Sequence, residues 1–121
     1  MHMEKYMHKV LIVEDDVSVQ ELYRSALCGK VEMLHATSIE EAETLFAAHS
    51  DISAIIMDAC VPGSKPTTQP LVTLFRKKFH GPMIAASSEP HFRDLLVRAG
   101  CDYRSPKIDV PKKLREILGI T

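Results

Sequence analysis

The chain of 121 residues sets 15 Lys and Arg against 16 Asp and Glu, a formal net charge of −1, and is 45% hydrophobic and 26% charged. Those proportions describe one globular domain with a core of its own; they exclude a disordered segment and a surface charged for nucleic acid or membrane. No apolar run approaches the ~20 residues needed to span a bilayer, and three scattered cysteines (Cys28, Cys60, Cys101) without a C-x-x-C pair point to reduced thiols. The expectation is a soluble, cytoplasmic domain over 9–121, preceded by a polar leader or cloning remnant over 1–8.

Lys9 to Val13 is an apolar run too short for a helix, so it reads as a buried strand, and it ends in Glu14-Asp15-Asp16. From Val17 to Leu27, Val19, Leu22, Tyr23, Ala26 and Leu27 fall at helical spacing, with Asp16 as a cap and Gly29 as a stop. Val31 to Ala36 is a less apolar strand, suited to a sheet edge. Ser38 and Glu41 have capping-box spacing before a helix that runs to about His49. Ala54 to Met57 is a third buried strand. It delivers Asp58 to its end, and Val61-Pro62-Gly63 then turns the chain.

A polar loop, Ser64–Pro70, leads into a helix whose apolar face includes Leu71, Val72, Leu74, Phe75 and Phe79, broken at Gly81-Pro82. Met83 to Ala86 is a fourth strand, followed by Ser87 and by Ser88 as the cap of a helix that Gly100 ends. Phe92, Leu95, Leu96 and Ala99 are its inward face. Cys101 to Ser105 is a weak fifth strand. Pro111 opens a last helix, and its Leu114, Ile117 and Leu118 close the core.

Strands and helices alternate five times with short connections. This calls for an α/β fold: a doubly wound, five-stranded parallel sheet with ligand groups at the C-terminal strand ends. Glu14, Asp15, Asp58, Ser87 and Lys107 all lie there. Carboxylates brought together resist ionising unless a cation joins them. Oxygen donors without His or Cys side chains favour Mg²⁺, and a lysine with a hydroxyl suits a phosphoryl group. Capping accounts for one of the acids after the first strand and leaves two unexplained.

V-L-I-V-E-D-D, A-I-I-M-D-A-C-V-P-G, P-M-I-A-A-S and A-G-C-D, in this order and spacing, resemble the receiver domain of two-component response regulators over Lys9 to Leu118. The resemblance implies a flavodoxin-like sheet with strand order 2-1-3-4-5. It implies Asp58 as phosphoacceptor, taking a phosphoryl group from a sensor histidine kinase or phosphotransfer protein. It also implies Mg²⁺ held by Glu14, Asp15, Asp58 and the Cys60 carbonyl, with Ser87 and Lys107 on phosphoryl oxygens. A downstream output protein or domain is the implied further partner, and a homodimer is compatible. Such a module is not a turnover enzyme, and it needs neither nucleic acid nor membrane.

Departures from the family pattern collect on its signalling side. Pro106 precedes Lys107 where the family has Lys-Pro, and Ile108 disfavours a cis bond after the lysine. Arg104 stands at the aromatic switch position, with Tyr103 beside it and directed to the other face. Glu89 and Cys60 occupy places that influence phosphoryl lifetime in the family. Two other readings compete. One is a degenerate receiver acting as a phosphorylation-independent interaction module. The other is a flavodoxin-like or phosphatase-like catalyst, which lacks here the glycine-rich or Ser/Thr-rich cradle for phosphate.

Overall fold

The computed structural model describes residues 7–121; the leader expected over 1–8 lies mostly outside the described residues. Its five strands are β1 (Lys9–Val13), β2 (Glu32–Ala36), β3 (Ile52–Asp58), β4 (Met83–Ala86) and β5 (Tyr103–Ser105). They form one parallel sheet in the order β2-β1-β3-β4-β5. The helices are α1 (Val17–Leu27), α2 (Ile39–Ala48), α3 (Gln69–Arg76), α4 (Pro90–Ala99) and α5 (Val110–Leu118). The expected doubly wound α/β fold is therefore the observed one.

Alternation along the strands divides the core in two. Leu11, Val13, Ile55, Met57, Met83 and Ala85 pack against α2, α3 and α4 through Ala42, Leu71, Val72, Phe75 and Leu96. Val10, Ile12, Ala54, Ile56, Ile84 and Ala86 meet Tyr23 and Leu27 of α1 and Val110 and Leu114 of α5. The central strands read as unbroken apolar runs because both of their faces are covered.

Local signals set the ends of the helices. Asp16 Oδ1 accepts from the Ser18 N–H (2.9 Å) and caps α1. Ser38 Oγ accepts from Glu41 N–H (3.1 Å), but the Glu41 carboxylate returns to the Thr37 N–H (2.6 Å), one residue earlier than a capping box requires. Three expectations need correction. Leu22, counted in the apolar spacing of α1, is 38% exposed, while the polar Gln20 is buried. The expected continuation of α3 to Phe79 stops at Arg76, because Lys77 N–H bonds the Leu74 carbonyl in a tighter turn. The cap of α4 is Glu89 and not Ser88, since the hydroxyl in range of a free N–H is that of Ser87.

Candidate functional site

Three strand ends deliver the acids and the lysine to one edge of the sheet. Glu14 and Asp15 follow β1, and Asp58 closes β3. One oxygen from each of the three lies within 4.8 Å of the others. Glu14 and Asp58 are 1% and 3% exposed, so the cluster is sunk below the surface rather than spread over it. Pro106 lies beyond the last residue of β5 and removes no ladder bond; the chain then makes a single 3-10 turn, Lys107–Asp109. From there Lys107 Nζ reaches Glu14 Oε1 at 3.0 Å and Asp58 Oδ2 at 3.3 Å. The peptide after Lys107 is trans, and the cis bond among the described residues is Val61–Pro62.

Main-chain groups fix the acids further. Asp58 Oδ1 accepts from Cys60 N–H (3.3 Å), Glu14 Oε2 from Asp16 N–H (3.0 Å), and Asp15 Oδ2 from Gly63 N–H (3.1 Å). Gly63 holds φ +84°, a conformation that disfavours a side chain and aims its N–H at Asp15. Burial first, and then the Glu14 carboxylate, push the Asp58 carboxyl up to about 7 against the opposing pull of Lys107. Burial alone would lower the Lys107 ammonium, but its contacts with Glu14 and Asp58 hold it above its ordinary value. Burial and the Asp58 charge push the Cys60 thiol up, so it stays neutral.

The donor set suits a hard divalent cation. It is all oxygen, and Glu14 Oε1 is buried with no hydrogen bond among the described residues, its positive neighbour being Lys107. A single ammonium against three carboxylates leaves Asp58 disposed to hold a proton, a tension that a second cation relieves. Ser87 is 5% exposed and lies one residue past the Asp58–Ala86 register pair. Its Oγ accepts from Glu89 N–H (3.1 Å) and keeps its own proton to donate.

Several supporting residues carry no signal in the sequence. Thr68, fully buried, donates Oγ1 to the carbonyls of Asp58 (2.8 Å) and Ala59 (3.2 Å). Thr67 Oγ1 donates to the Val61 carbonyl (2.8 Å) and accepts from the Val61 N–H (3.1 Å). These two hydroxyls of the long polar loop clasp the turn that carries Asp58 and Cys60. Gln20 Nε2 donates to the Glu14 carbonyl (2.6 Å) from α1. Tyr23, fully buried, has a hydroxyl without a partner among the described residues, and burial with the nearby Glu14 and Asp58 charges raises it well above its ordinary value.

No protein-family profile and no curated protein matches the chain. Solved structures do. The chain is similar to a two-component response regulator from Clostridium difficile, at 18% identity and TM-score 0.79, over 93% of this chain and 97% of that one. It is similar to the Vibrio cholerae chemotaxis protein CheY4 at 22% identity and TM-score 0.77, over 94% and 98%. The chain folds as a response regulator receiver domain. The N-terminal domain of an uncharacterized protein from Wolinella succinogenes shares the receiver fold at 28% identity and TM-score 0.73, over 94% of this chain and 92% of that one. The acidic cluster lies at the C-terminal edge of the sheet, where open α/β folds bind their ligands.

Proposed function

We propose that this receiver fold is a phosphoacceptor module of a two-component system, with Asp58 as the residue phosphorylated. The reading rests above all on the convergence of Glu14, Asp15 and Asp58 on one point, with Lys107 Nζ at 3.0 and 3.3 Å from two of them. An Asp58 carboxylate oxygen forms a bond to phosphorus as the P–N bond of a phosphohistidine breaks, and the leaving imidazole nitrogen keeps the electron pair. Glu14, Asp15, Asp58 and the Cys60 carbonyl would hold Mg²⁺. When bound, it neutralises charge on the transferring phosphoryl group. Lys107 pairs with one phosphoryl oxygen and Ser87 donates its hydroxyl proton to another.

A sensor histidine kinase or phosphotransfer protein supplies the phosphoryl group, and an output protein or domain reads the result. No helix of the described residues is long and apolar enough to cross a membrane, consistent with work in the cytoplasm. Intact-mass analysis after incubation with acetyl phosphate tests the reading. The expected result is one phosphoryl adduct that needs Mg²⁺ and vanishes in Asp58→Asn. A folded wild type without an adduct would select the degenerate, phosphorylation-independent receiver, which the ion-paired Arg104 at the switch position favours.

A further inference from the structure

Ser87 is held by more than its place after β4. Its N–H donates to the Ser105 carbonyl of β5 (3.3 Å). Its Oγ accepts from Glu89 N–H (3.1 Å), and its carbonyl accepts from Arg93 Nη1 (3.0 Å). Both donors belong to the start of α4, where Glu89 stands at the cap position without a capping side chain of its own. The Ser87 contact is the guanidinium's one hydrogen bond among the described residues, and Arg93 Nε is buried without a partner. The next residue, Asp94, pairs with Arg104 of β5. Two arginines thus fasten α4, one to the end of β4 and one to β5. Of the neighbouring β5 side chains, Arg104 pairs with Asp94 of α4, and Tyr103 lies on the other face under Lys113 Nζ of α5 (5.6 Å from the ring centre).

We propose that Arg93 is a positioning residue for Ser87, and that through it α4, rather than a ring on β5, responds when Ser87 turns toward a phosphoryl group on Asp58. The proposal rests on the phosphoacceptor reading given above. Because Ser87 Oγ accepts from Glu89, its own proton is free to point into the pocket. Any shift of the hydroxyl or its peptide toward Asp58 then pulls on the bonds to Glu89 and Arg93, and so on the first turn of α4.

Hydrogen exchange across α4 of the full chain, with and without Mg²⁺ and beryllium fluoride as a phosphoryl mimic, tests this. In the wild type, the amides of Glu89, His91, Phe92 and Arg93 are expected to change their exchange by about tenfold, the weight of one hydrogen bond to a charged group. Arg93→Met keeps the aliphatic packing but loses the donor; it is expected to bind beryllium fluoride with a clearly reduced response in α4, the Glu89 bond to Ser87 alone remaining. Arg93→Lys, with one donor retained, is expected to recover part of the response. A wild-type response in Arg93→Met, or no recovery in Arg93→Lys, would overturn the coupling. Binding with a silent α4 in the wild type sinks the coupling alone. Failure of beryllium fluoride to bind with Mg²⁺ sinks the phosphoacceptor reading and the coupling with it.

Discussion

In the folded protein the Asp58 carboxyl is pushed up to about 7 from an ordinary 3.8 by burial and by Glu14. Between about pH 4 and pH 7 the unfolded chain therefore releases a proton that the metal-free folded chain keeps, and stability falls as pH rises through that window. Asp58→Asn, with EDTA present, is expected to stabilise the protein by roughly 2–4 kcal/mol at neutral pH and by little near pH 4. Urea unfolding at the two pH values checks it. Thr68 gives a second expectation. Thr68→Val keeps the shape but takes a donor from the Asp58 carbonyl, while the Ala59 carbonyl keeps the Thr67 N–H (2.9 Å); a loss of roughly 1–3 kcal/mol is expected, which Thr68→Ser largely restores in the same titration. The acids were legible in the sequence because each ends an apolar strand. Thr67, Thr68 and Gln20 were not, since a hydroxyl in a polar loop or an amide on a helix looks the same whether it faces water or a buried carbonyl.

The apolar runs located β1 and β4 to the residue, because strands covered on both faces leave no polar position to blur their ends, whereas β3 extends past its apolar run to Ile52 and Ser53 before it and to Asp58 after it. Helix ends were harder, since the groups that satisfy them come from elsewhere in the chain. Arg76, the last residue of α3, illustrates this. Its guanidinium donates to the carbonyls of Gly100 (3.0 Å), Phe79 (2.9 Å) and Gly81 (2.9 Å) and pairs with Asp102, which in turn accepts from Met83 N–H (3.0 Å). One side chain thus joins α3 to the entries of β4 and β5. In sequence it looks like a basic residue at a helix end. Arg76→Lys cannot spread one ammonium over three carbonyls, and a loss of roughly 2–4 kcal/mol in thermal or urea unfolding is expected.

Across the whole molecule, the fold and the edge that gathers the acids were readable from the alternation of elements, whereas the fastening of α4 depends on contacts between residues that no periodicity links. A cation that binds the folded chain alone stabilises it by mass action, about 2.7 kcal/mol at one hundred times its dissociation constant. Mg²⁺ is accordingly expected to raise the melting temperature, EDTA to reverse the gain, and Asp15→Asn to abolish it. The raised Asp58 carboxyl has one more consequence, for the chemistry of loading. Because the buried Asp58 keeps its proton to higher pH than an ordinary carboxyl, a cation that binds beside it near neutral pH displaces protons, and Mg²⁺ uptake is expected to acidify an unbuffered solution. The heat of titration is then expected to differ between two buffers of unlike ionisation enthalpy, and the difference to fade at higher pH, where Asp58 is already ionised.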